Sequence, residues 1–135
     1  IKAYADSKII TAYAVTSANV YDSNKLEEFL NETDNVVYAD SAYVGKEAPA
    51  NVKNNVCEKG YRSKALTAKQ KAANREKSKN RARVEHVFEF MTISMRGFTV
   101  RSIGIRCAKF NIGFANLVYN LCRFSALKRK GIVRG

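Results

Sequence analysis

The chain has 135 residues, 46% of them hydrophobic and 27% charged, which allows one domain with a real core and excludes a disordered chain. No stretch approaches the apolar length of a bilayer span and no signal peptide is visible, which sets membrane and secreted readings aside and leaves a cytoplasmic location as the expectation. The net charge of +12 is one-sided: residues 1–58 hold five Lys/Arg and nine Asp/Glu, net −4, and residues 59–135 hold nineteen and three, net +16, an asymmetry that points to a polyanionic partner.

Residues 1–20 alternate well enough to predict two short strands, joined into a hairpin by the polar turn Asp6-Ser7-Lys8. "YDSNKLEEFLNE" then opens with the N-cap residues Asp22 and Ser23 and places Leu26, Phe29 and Leu30 on one helical face. Val36 to Tyr38 read as a strand that ends at Asp40. A short helix is expected from about Lys46 to Lys53, with Pro49 in its first turn. Strand, strand, helix, strand, helix is the order of an α/β domain with a mixed sheet.

Beyond Gly60 the character changes. "LTAKQKAANREKSKNRARVEHVFEFM" reads as helix throughout, capped by Thr67, with a break expected near Ser78-Lys79-Asn80. Val84, Val87, Phe88, Met91 and Met95 recur at helical spacing and are expected to face the core. A second long helix is expected from Ile105 to Leu127. Its apolar breadth, through Ala108, Ile112, Ala115, Val118, Tyr119 and Cys122, predicts burial against the sheet. The end, "LKRKGIVRG", is expected to fray. Cys57, Cys107 and Cys122 have no paired spacing and read as buried thiols. One histidine, His86, makes a zinc site a poor reading.

Two carboxylates stand out. Asp40 follows an apolar strand, although Asp is depleted from strands. It either closes the strand as a turn residue or marks a site, since α/β sheets place ligands beyond the carboxyl ends of their strands. Glu85 sits beside the apolar stripe of its helix with Arg81 one turn earlier. That spacing suits an ordinary i,i+4 ion pair. The alternative joins Asp40 and Glu85 as ligands of Mg²⁺, an oxygen-seeking ion. Ten of the Lys/Arg lie between Lys59 and Arg83 with one acid, Glu76. Arg62, Lys64, Lys77, Lys79, Arg81 and Arg83 are thus candidates for phosphate contacts; the plainer reading is a solvated helical face.

"TSANVYDSNKLEEFL", "VVYADSAYVGKE" and "EKGYRSKALTAKQKAANREKSKNRARVEHVFEFM" together resemble the bacterial insertion-sequence transposases with a DDE catalytic domain, in the subgroup with "YADSAY" and "R-x-R-V-E-H-V-F". The resemblance runs from the hairpin to about Arg123. It implies a ribonuclease H-like α/β core with a mixed sheet flanked by helices, and DNA strand cleavage and joining by three acids around two Mg²⁺ (or Mn²⁺) ions. Asp40 matches the second acid, Glu85 the third, and Arg81 the arginine of the family's tyrosine-arginine-glutamate-lysine signature. Double-stranded DNA, as transposon ends and target, is the implied partner, and a homodimer and a nucleoid-associated bacterial setting are expected on the same ground.

The departures are specific. Ser78 stands at the signature's tyrosine and Thr92 at its lysine. The first acid belongs on a strand before the hairpin; Asp6 falls in a turn and Asp22 reads as a helix cap. With Ile1 rather than Met at the start, the chain is expected to be part of a longer polypeptide: residues 1–127 a catalytic domain truncated at its N-terminus, residues 128–135 a basic flexible tail, and the fragment inactive alone. Two other readings stay open, a non-catalytic basic nucleic-acid-binding protein and a degenerate transposase remnant.

Overall fold

Asp6 and Ser7 turn the chain between β1 (Lys2–Ala3) and β2 (Ile10–Ala12), which pair antiparallel in the computed structural model. Two backbone bonds close the turn, from Lys8 N–H to the Tyr4 carbonyl (2.9 Å) and from Tyr4 N–H to the Ile9 carbonyl (3.0 Å). Lys8 itself has φ +59°, a left-handed conformation that costs a non-glycine residue energy. The structure describes the whole chain except residues 18, 21–25, 32, 46–48, 63, 96–100, 102, 134 and 135. The chain forms two units, one of Ile1–Asn19 with Arg83–Gly135 and the other of Val20–Ala82.

In the first unit the hairpin packs with the end of α2 (Ala68–Ile93) and with α3 (Ile105–Arg129). Ile10, Val87, Met91 and Tyr119 form its buried core, with Ile1, Ala3 and Met95 against it. Polar side chains of α3 complete the hairpin. The Asn120 amide accepts from Ile10 N–H and donates to the Ile10 carbonyl, both at 2.9 Å, so it occupies groups that a further strand would use. Tyr119 Oη donates to the Lys8 carbonyl (2.9 Å) and Arg123 Nε to the Ser7 carbonyl (2.6 Å). Gly113 is helical, and a methyl group there would collide with the Tyr13 hydroxyl.

The second unit holds α1 (Leu26–Phe29), β3 (Val36–Val37), a 3₁₀ turn at Ser41–Tyr43, β4 (Lys53–Asn54) and the first part of α2. β3 and β4 pair in parallel, Val36 with Lys53 and Val37 with Asn54. The ladder continues to a bond from Cys57 N–H to the Ala39 carbonyl (3.1 Å). Leu26, Val52 and Cys57 are buried. α2 pins the segment after β4: the Asn74 amide bonds both the N–H and the carbonyl of Glu58 (2.9 Å each), and Lys77 Nζ donates to the Val56 carbonyl.

Several expectations are corrected. The α/β class holds, but the described strands form two separate two-stranded sheets, one antiparallel and one parallel, rather than one mixed sheet. The expected helix at 46–53 is absent among the described residues. Instead Val52 N–H bonds the Pro49 carbonyl in a turn, and Lys53 enters β4 because β3 offers it a partner. Asp22 and Ser23 lie outside the described residues. α2 is unbroken through Ser78-Lys79-Asn80, and Thr67 caps it: its hydroxyl accepts from Gln70 N–H while Gln70 Oε1 accepts from Thr67 N–H. Phe88, assigned to the core stripe, is exposed, whereas Val87 and Met91 are fully buried.

α3 is less covered than its apolar breadth predicts. Asn116, Tyr119 and Leu127 are buried, but Phe110, Phe114, Leu117, Leu121 and Phe124 are exposed, as are Cys107 and Cys122. Only Cys57 fits the buried-thiol reading. Among the described residues the helix reaches into the segment expected to fray. The helix continues to Arg129, and Gly131 (φ +68°) closes it: Gly131 N–H bonds the Lys128 carbonyl and Ile132 N–H the Leu127 carbonyl. That pair of bonds is a Schellman motif, which needs a left-handed residue just past the helix and so favours glycine.

Candidate active site

Asp40 lies three residues beyond β3, in extended backbone (φ −74°, ψ 167°), and its Oδ1 accepts from Ser41 N–H at 2.7 Å. This is the turn role that its residue type allows, capping the 3₁₀ turn Ser41–Tyr43. Oδ2 has no hydrogen-bond partner among the described residues, and the side chain is exposed. Glu85 lies on α2, also exposed, with Arg81 one turn earlier on the same helix. Asp40 belongs to one unit and Glu85 to the other.

Exposed carboxylates are hard oxygen donors of the kind that Mg²⁺ takes, so the donor chemistry fits a divalent ion. The described residues do not supply a gathered set, since no group of three or more His, Cys, Asp or Glu is placed to hold one. His86 Nδ1 lies 3.2 Å from Glu89 Oε2, and no hydrogen bond joins it to a Ser or Cys among the described residues.

The basic candidates divide into two kinds. Arg62 and Lys64 are exposed around the short bridge between Tyr61 and Lys64. Lys79 is exposed and pairs with Glu76 at 2.7 Å, a surface contact worth about 0–1 kcal/mol. Lys77 and Arg83 instead hold backbone, Lys77 on the Val56 carbonyl and Arg83 Nη1 on the Ala5 carbonyl at 2.8 Å, with Asp6 Oδ1 at 3.6 Å. Lysine-to-carbonyl stitching leaves no periodic signature, so sequence spacing could not separate these two from free cations.

Sequence reasoning also passed over Lys8, seen only as a turn residue, and Arg123, seen only as a helix position. The fold brings both to one recess of about 180 Å³ in the first unit, with His86, Phe90, Tyr119 and Cys122 also on its wall. Burial first, then the Arg123, Arg83 and Lys130 charges, lower the Lys8 pKa, and only Glu89 opposes them.

Residues 3–121 match the family model of the transposase DDE domain, and this span includes both Asp40 and Glu85. The chain belongs to that family. Membership assigns it to transposition and DNA recombination, with DNA as the partner that the family implies. Comparison with curated proteins and with solved structures returned no match. No described helix is long and apolar enough to cross a membrane.

Proposed function

We propose that the chain is part of the catalytic domain of an insertion-sequence transposase, built on a ribonuclease H-like core, with Asp40 and Glu85 as two of its three metal-binding acids. The observation that carries this reading is the family match over residues 3–121, a span that contains both carboxylates. When bound, divalent ions of the Mg²⁺ class polarise a phosphodiester and stabilise its attacking and leaving oxygens. Asp40 and Glu85 would hold those ions. Arg62, Lys64 and Lys79, on the exposed basic stretch, would take backbone phosphates of double-stranded DNA, and Arg81 would help to position Glu85.

The resemblance leaves the first member of the triad unassigned, and Asp6, in the hairpin turn 3.6 Å from Arg83, is not taken as that acid. We therefore propose that residues 1–135 alone bind DNA and do not cut it, because in-line displacement needs tightly placed ions. A homodimer and a cytoplasmic location belong to the same proposal. The test is Mn²⁺ titration. Asp40→Asn and Glu85→Gln should each weaken Mn²⁺ binding while duplex binding stays nearly intact. Mn²⁺ affinity unchanged in both variants would sink the assignment, and robust Mg²⁺-dependent nicking by residues 1–135 would show that a first acid lies within them.

A further inference from the structure

The recess in the first unit has a composition that its structural role does not account for. Tyr119 and Arg123 hold the turn through the Lys8 and Ser7 carbonyls, around a Lys8 in the left-handed conformation. The Lys8 ammonium has no hydrogen-bond partner among the described residues, and Arg123 uses only Nε. α3 carries no Asp or Glu at all. The acid on the recess side, Glu89, is engaged with His86, and Asp6 faces Arg83. Two cations therefore share a concave site in which no carboxylate bonds either of them among the described residues; burial first, and then the neighbouring cations, lower the Lys8 pKa, with Glu89 opposing.

We propose that this recess is a binding site for one phosphate group, resting on the reading that the chain handles DNA. Lysine and the fork of arginine N–H groups are the donors that tetrahedral phosphate oxygens accept from, and charge-assisted bonds of this kind are the strong ones. At about 180 Å³ the recess is smaller than the ~300–1,000 Å³ of small-molecule pockets, so it suits a single group rather than a whole nucleotide. Phe90, packed edge-on against Tyr119 with ring centroids 5.6 Å apart, gives one wall an apolar surface that a sugar can lie against. The chemistry is shared by a DNA backbone phosphate and by free phosphate.

Cys122 on the recess wall and Cys107 elsewhere on α3 are both exposed, which supplies a probe and its internal control. Maleimide labelling, read by mass spectrometry, is run on the intact chain with duplex oligonucleotide and separately with inorganic phosphate. Protection of Cys122 but not Cys107 is expected, lost in Lys8→Gln and restored in Lys8→Arg. Lys8→Gln should also lower the salt slope of duplex binding by about 0.9, the loss of one phosphate contact. Lys109→Gln, which removes an equal charge from an exposed position on α3, should change it less. Protection by duplex identifies the backbone as the source, and protection by inorganic phosphate alone identifies the free ion; either supports the site. Duplex binding with Cys122 unprotected by duplex and by inorganic phosphate alike overturns the site and leaves the transposase reading standing. Phosphate protection without any duplex binding does the reverse. Protection only by an acidic peptide, or, where duplex protects Cys122, equal slopes in Lys8→Gln and Lys109→Gln, overturns the site.

Discussion

The two units of this chain use the same device at different depths. In each, an asparagine on a long helix bonds both the N–H and the carbonyl of one residue: Asn120 on Ile10 in the first, Asn74 on Glu58 in the second. The first pair is part-buried beside a fully buried Val87 and Met91, and the second is exposed. Strands of two or three residues form few ladder bonds, so a side-chain amide stands in for a missing strand in both places. What differs is the alternative partner. Water can replace Asn74 at Glu58 but reaches Ile10 poorly, so identical geometry should carry unequal energy.

The largest effect expected concerns the core that makes one site deep. Met91→Ala should cost about 2–5 kcal/mol of unfolding free energy, because a fully buried side chain leaves both lost transfer energy and a cavity. Urea denaturation followed by circular dichroism measures it, and a loss well below that range would mean the first unit is no better packed than the second.

Next comes the comparison itself. Asn120→Ala should cost about 1–3 kcal/mol by stranding two half-buried backbone groups, and Asn74→Ala about 0.5–1.5 kcal/mol. Equal losses in matched melts would show that burial does not separate the two clamps.

The last comparison concerns Tyr119 and has its distinguishing signature at alkaline pH. Burial raises the Tyr119 pKa above its ordinary 10.0, against an opposing pull from Arg123. The folded state thus favours the protonated phenol. That stability is fully present below pH 10.0 and lost as pH rises through the folded value. Lys8, lowered from 10.5 by burial first and then by neighbouring cations, has the opposite sign: both costs are relieved as it loses its proton. Tyr119→Phe should lose about 0.5–1.5 kcal/mol at neutral pH, for the bond to the Lys8 carbonyl, and show a shallower decline above pH 10 than the unsubstituted chain. An unchanged alkaline slope would remove Tyr119 from the account.

How much was legible in the sequence follows the range of the interactions. Local signals read well: the turn at Asp6-Ser7, the Thr67 cap and both long helices depend on residues a few positions apart. β4 was missed because Lys53 and Asn54 are strand only through their partners Val36 and Val37. Phe88 and the α3 stripe were assigned to the core because helical periodicity marks apolar faces without saying whether anything covers them. For the site, Asp40 and Glu85 stood out by residue type and by resemblance, and the family match spans both. The recess could not be read, since Lys8 and Arg123 meet only through tertiary contacts.

One feature of the first unit bears on how the chain acquires its structure. The Asn120–Ile10 bonds join residues 110 apart, and the unit they close is interrupted in sequence by the whole of the second. Closing a loop of that length costs roughly 4 kcal/mol of chain entropy on the logarithmic scaling. The second unit is continuous and its helix can nucleate from local contacts, so it should be ordered first during synthesis. The hairpin is made before the whole of the second unit and α3 after it, so the hairpin waits through that interval with its Ile10 edge uncovered.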